Sequence, residues 1–278
     1  RLASEMNAGN TNALTRPVPP EPFALVVGEA MRGRSMDALE TALRHMGFQP
    51  ERIDGDDMDV MAPRFRLHFG VSTVVAGPAN DAVLDDAEPD HPSTSLLAAS
   101  LPRDWRQNGG CWIFVSDVDD ETSASSGQPT RMREFFKMMV LLIDLFDASH
   151  LFWSPARLWS DAAQFRASIA EMLASGMPPV LHLVAFRRRE DADGASMATR
   201  GLALFAGQEL EARIPEGWTV ADMVKRLSRL ALDMILNGPV QHDRTMRGLE
   251  GGEWIDLSPS SATGGRRSTV LVEFGRDR

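Results

Sequence analysis

PPVLHLVAFRRRE at residues 178–190, a polar turn, and then TRGLALFAGQELEARIP at residues 199–215 decide how this chain is built. Both are apolar runs with strand-favouring residues, and a short polar turn between them reads as a β-hairpin. Side chains alternate along a strand, so His182 shares a face with Val180 and Val184, while Leu181, Leu183 and Ala185 share the other. Both faces are apolar. The run is therefore expected as a central strand with the imidazole withdrawn from solvent.

Working outward, helices flank the hairpin. Upstream, Ser160 is placed to cap an amphipathic helix carrying Phe165, Ile169, Met172 and Leu173, ended by Gly176 and the Pro178-Pro179 pair. Before it, residues 151–153 form a short strand, and residues 131–147, capped at Thr130, form a helix that is apolar on nearly every side. Such a helix belongs between other elements. Residues 111–118 read as a strand followed by a polar loop. Downstream, Thr219 and Asp222 make a capping box for a helix with Val220, Met223, Val224, Leu227, Ala231, Met234 and Ile235 at spacings of three and four. Two terminal strands follow, at 253–257 and 269–274.

The first third has its own order: a strand at 23–30, a helix capped by Ser35 and ended by Gly47, and strands at 58–61 and 65–76. Residues 79–104, rich in Asp and Pro, read as a loop or linker with one short helix at 95–100. The expected fold is α+β, with a largely antiparallel sheet and helices packed on one face. A tail at 1–22 precedes one domain at 23–278, which also admits two subdomains, 23–78 and 105–278, across the acidic linker. Residues 23–76 and 111–213 admit a reading as two related β-α-β-β halves, although no sequence repeat supports it.

Composition narrows the function classes. The chain has 278 residues, 43% of them hydrophobic, and a net charge of −10. That charge disfavours nonspecific nucleic-acid binding. The longest strongly apolar stretch, at 138–146, is far short of the ~20 residues that span a bilayer. Residues 1–22 lack the apolar segment of a secretory signal. Cys111 is alone, so an internal disulfide and a cysteine zinc cage are both excluded, and a cytoplasmic location is expected.

The string LFWSPARLWSDAAQF at 151–165, taken with the two hairpin runs, resembles the bacterial domain-of-unknown-function 4261 family. Thr199, Gly201, Leu202, Phe205, Glu209, Leu210 and Glu211 fit the family's Gly-Leu…Phe-Gly…Glu-Leu-Glu strand. Ala206 stands where the family glycine is expected, and HDRTM at 242–246 replaces its Asp-Gly-Asp-Thr turn. The resemblance covers roughly the last half of the chain. It implies a fold and no reaction.

No nucleotide fingerprint, zinc-protease helix or nucleophile elbow occurs, and no cofactor or metal is expected. Two acidic clusters, Asp54-Asp56-Asp57-Asp59 and Asp117-Asp119-Asp120-Glu121, read as solvated turns or as a metal or partner edge. Arg187, Arg188 and Arg189, with Arg266 and Arg267, read as a solvated turn or a small phosphate-seeking patch. Phe152, Trp153 and Trp159, with Arg157 between the two tryptophans, either make a recognition surface or plug the core. Trp153, Arg157, Trp159, His182 and Glu209 are thus the candidate binding residues. The leading expectation is a non-enzymatic module that binds another protein in an accessory, regulatory or toxin-neutralising role. The acid-rich first third, with fifteen acidic and eight basic groups in residues 1–100, would steer a basic partner. Two alternatives stay open: a hydrolase-like enzyme with a dispersed site at His182, Glu209 and Glu211, and a subunit that buries its aromatic strip by self-association.

Overall fold

The computed structural model describes residues 22–28, 34–53, 65–97, 101–108, 110–116, 128–260 and 268–277. The tail through residue 21, the strand expected at 58–61, both acidic clusters, the Thr130 side chain and the Arg266-Arg267 pair lie outside them.

Strands with apolar residues on both faces must sit centrally in a covered sheet. The run FALVVG forms such a strand, β1 (Phe23–Gly28), buried along its whole length. Its sheet also holds β2 (Gln49–Arg52), β3 (Phe65–Phe69), β4 (Ser72–Pro78), β5 (Ser95–Leu96), β6 (Gly110–Ser116), β7 (His150–Trp153) and β8 (Leu158–Asp161). The spatial order is β2-β3-β4-β6-β1-β7-β8-β5, antiparallel except between β5 and β8. Around the central β1–β6 pair, the order β1-α1-β2-β3 is matched by β6-α4-β7-β8, where α1 is Met36–His45 and α4 is Gln128–Phe146. Both β-α-β-β units thus lie in one sheet, and the second ends at Asp161.

Alternation sends Ala24, Val26, Trp112, Phe114 and Trp153 to one face of this sheet, against α1, α4 and α5 (Ala162–Ser175). It sends Phe23, Leu25, Val27, Ile113 and Trp159 to the other. That second face is covered by residues expected as a linker. They fold into α2 (Asp81–Asp86), capped by the Asn80 side chain at 2.9 Å from the Val83 amide, then β5, and α3 (Trp105–Asn108) follows just beyond them. The long helices keep to one face, as expected, while α2 and α3 occupy the opposite one. Division at 78 and 105 separates no packed unit, because β4 pairs with β6 across that boundary. The helix expected at 95–100 begins instead as the edge strand β5.

The opening hairpin differs from its reading in four places: its first run begins helical, the strand of that run lies at a sheet edge rather than centrally, residues 194–198 of the expected polar turn are strand, and a helical turn breaks the second run. Its first run starts with a helical turn, α6 (Val180–Leu183), because Pro178 and Pro179 cannot donate to a ladder and Pro179 sits as the cap. The strand proper is β9 (Ala185–Asp191). Its partner β10 (Gly194–Arg200) stops at Gly201, whose φ is +98°. A Cβ there would stand 2.8 Å from the Leu183 carbonyl oxygen and 3.0 Å from the Ala156 Cβ, so only glycine fits. A turn of helix, α7 (Ala203–Ala206), then leads into β11 (Glu209–Arg213).

These strands join β12 (Arg244–Arg247), β13 (Glu253–Ser260) and β14 (Thr269–Arg276) in a second sheet, ordered β12-β13-β14-β11-β10-β9. Pairing is antiparallel except between β11 and β14. The helix α8 (Val220–Asn237) packs on it through Met223, Leu227, Leu230, Ala231 and Met234, started by the Thr219–Asp222 capping box. One core runs without a break from the first sheet through the helices to the second sheet, through Phe136, Ile169, Leu183, Leu227 and Val272. No described helix is long and apolar enough to cross a membrane.

Candidate functional site

Four helices meet where the two sheets approach each other. From α4 come Met132, Arg133 and Phe136; from α7, Leu204 and Phe205; and from the end of α8, Leu236. The C-terminal end of α5 and the turn after it close the remaining side. Gly176, left-handed at φ +78°, ends α5 and turns the chain through Met177 and Pro178. The result is an open apolar cleft of about 580 Å³. Ligand pockets run to about 300–1,000 Å³. A second cleft, between α8 and β12, measures about 110 Å³ and is too small by that standard.

The cleft floor is ordered by aromatic contact: Phe136 and Phe205 stack with centroids 6.5 Å apart and planes 18° from parallel. Arg133 is the one charged residue among the described lining residues. Its Nη2 donates to the Leu173 carbonyl at 2.9 Å, which holds it at the rim, and no carboxylate among the described residues pairs with it. Apolar surface continues outward from the cleft, since Leu236 is 50% exposed and Met177 53%.

The residues singled out from sequence lie elsewhere. Trp153 and Trp159 are fully buried and on opposite faces of the first sheet, so they form no common surface. Trp159 Nε1 donates to the Ala87 carbonyl at 2.7 Å, stitching the α2 cover to β8. Arg157 is 2% exposed and pairs with Asp86 at 2.9 Å. The recognition surface expected there is core, and the self-association reading loses the exposed aromatic strip on which it rested. The physical reason is that β7 and β8 are covered on both sides, one by α5 and one by α2.

His182 lies in α6 rather than on a strand, half-buried and edge-on to Phe165 with centroids 6.1 Å apart. Its Nδ1 is sealed from solvent without a hydrogen-bond partner, and burial lowers the imidazole pKa, which keeps it neutral at pH 7. Glu209 is buried and holds the β10–β11 connection together. It accepts from Thr199 Oγ1 at 3.1 Å and from the amides of Gly201, Leu202 and Ala203 at 3.2, 2.9 and 3.3 Å. A carboxylate so committed is a structural clamp. Glu211 is exposed on β11, two residues further along. Cys111 is buried, and desolvation pushes its thiol up to about 11. Among the described residues no group of three or more His, Cys, Asp or Glu is placed to hold a metal ion.

The sequence reading missed the cleft because its walls are apolar residues that spacing assigns to the core. One signal was present: Leu236 stands off the buried stripe of α8, an apolar residue with no interior to enter. No protein-family model, curated protein or solved structure matches the chain, so the resemblance to the 4261 family contributes no residue role.

Proposed function

We propose that this protein is a non-enzymatic binding module that takes an amphipathic helical segment of another protein into the α4–α5–α7–α8 cleft. The observation that carries the reading is an open apolar cleft of about 580 Å³ whose apolar surface spreads past its own rim. A small ligand would fill the cleft against Leu236 and leave Met177 half-exposed. A helix lying across it covers Met177 as well, with apolar anchors at i, i+3, i+4 and i+7. Arg133, without a carboxylate partner among the described residues, favours one acidic side chain on that helix. At longer range the net charge of −10 attracts a basic partner, so the bound segment belongs to a protein that is basic overall. A chain with one cysteine, buried, suits a reducing compartment, and the proposal places the protein in the cytoplasm.

The test is a display selection of helical peptide libraries against the full chain. The expected outcome is enrichment of an i, i+3, i+4, i+7 apolar pattern with one conserved acidic position. Binding should fall at least tenfold in Leu236→Asp at unchanged melting temperature, and Arg133→Glu should shift the acidic position to a basic one. Failure to enrich any such pattern, or peptides indifferent to both substitutions, would sink the proposal.

A further inference from the structure

The two sheets also meet at a junction of cations. Arg157 occupies the β7–β8 turn with φ +49°, a conformation that a non-glycine residue adopts only when its surroundings hold it there. Its Nη1 donates to Asp86 Oδ2 at 2.9 Å, and its Nη2 to Thr94 Oγ1 at 3.2 Å and to the Asp86 carbonyl. Its Nε is buried with no acceptor. From the second sheet, Arg187 on β9 reaches across to donate through Nη2 to the Pro92 carbonyl, in the same 86–94 segment. Its Nη1 is likewise sealed from solvent with no acceptor. His91 lies in that segment too, its Nδ1 2.7 Å from Ser93 Oγ. Its pKa is lowered, first by burial and then by the charge of Arg157, against the opposing charge of Asp86, with Arg200 and Arg187 adding to the lowering.

Negative charge is short at this junction. Asp86 is taken by Arg157, and the neighbouring Asp85 and Glu88 are drawn to Arg106 at 2.8 and 3.1 Å. No carboxylate among the described residues pairs with Arg187. Buried guanidinium N–H groups without acceptors are uncommon and point to a missing partner. Two of them, from arginines that two sheets bring to one nine-residue segment, are donors of the kind that arginine offers to oxyanions.

We infer that the junction of Arg157 and Arg187 over residues 86–94 binds a small inorganic oxyanion, phosphate or sulfate. The free ion is favoured over a phosphorylated molecule because both unpaired donors lie beneath the surface. Arg187 is only partly buried, and its exposed side is the way in. This site is separate from the apolar cleft, and its test is independent of any partner.

The test is calorimetric titration of the full chain with inorganic phosphate and with sulfate at constant ionic strength, alongside phenyl phosphate. The expected result is saturable one-to-one binding of the inorganic ions and none of phenyl phosphate. Affinity should fall at least tenfold in Arg187→Gln and stay unchanged in Arg188→Gln, whose side chain is exposed. Lack of saturable binding by the unsubstituted protein overturns the inference, as does equal affinity in a folded Arg187→Gln. Phenyl phosphate binding as tightly as phosphate overturns the assignment to a free ion. Should Arg187→Gln fail to fold, the titrations of the unsubstituted chain decide.

Discussion

Two buried carboxylates show how differently one side chain is used in this molecule. Glu253 is 2% exposed and receives a two-pronged contact from Arg226, at 2.5 and 3.0 Å, while the guanidinium lies 4.1 Å over the Trp218 ring. The hydrogen bonds from Arg226 hold the Glu253 pKa below its ordinary value, against the opposing effect of burial. A lowered folded-state pKa contributes stability that is fully present above the ordinary carboxylate range and lost as pH falls through the lowered value. Glu253→Gln takes the two-pronged partner from the buried Arg226 and leaves it Glu250 at 3.8 Å, and should cost up to about 3–5 kcal/mol at pH 7 in denaturant unfolding. It should also flatten the acid limb of the stability profile; an unchanged limb would show that the pair does not couple to folding. Glu209 has the opposite sign. Burial raises its pKa, opposed by four donors, so its contribution declines as pH rises through the raised value. Glu209→Gln offers one acceptor oxygen where two served, and should destabilise by about 1–3 kcal/mol. A loss under about 0.5 kcal/mol would mean that the 199–203 turn is held by its glycine and not by the clamp.

At the scale of elements, α8 is the clearest case of spacing becoming structure. Leu227 is fully buried at the centre of the stripe that its three- and four-residue spacing announces. Leu227→Ala should cost about 2–5 kcal/mol, and a loss below about 0.5 kcal/mol would show the helix is not seated on the second sheet. The stripe, the capping box and the all-round apolar α4 were legible because periodicity and caps act locally, whereas residues 65–76, expected as one alternating strand, are the β3–β4 hairpin turning at the left-handed Gly70. His182 was not. PVLHLV is apolar at every position but His182 itself, so neither period distinguishes itself, and the prolines decide for a helical turn. Residues 79–104 were misread for a related reason. Their Asp and Pro content signals a loop, yet Asn80 caps α2, whose Val83 and Leu84 find an uncovered sheet face. Nor was Ser160 the cap of α5. Asp161 is, accepting the Gln164 amide at 3.0 Å, one residue past the sequence reading. The apolar cleft and the arginine junction arise where elements far apart in the chain converge, and spacing carries no signal for that.

The whole molecule has a large core shared by both sheets and a small one on the outer face of the first sheet. The small core is closed by α2 and by α3, six and four residues long, and short helices contribute little stability of their own. Cys111 reports on that cover. It sits on β6 beneath α3, its Sγ 3.6 Å from the Trp105 carbonyl oxygen, and burial pushes its thiol up to about 11. The thiolate is the reactive species, so native Cys111 should resist a disulfide reagent that titrates one thiol per chain after denaturation. The denaturant dependence of labelling then separates two modes of opening. If the α2–α3 cover lifts by itself, little surface is exposed, and the labelling free energy should fall with a shallower slope than global unfolding. The short covering helices predict this local mode, with an opening free energy below that of global unfolding. The ties from Arg157 to Asp86 and from Trp159 to Ala87 resist it, so an oxyanion bound at the Arg157–Arg187 junction should slow labelling further. A labelling slope equal to the global value would show instead that both cores open as one cooperative unit. Labelling of the native chain within seconds would show that Cys111 is not covered at all.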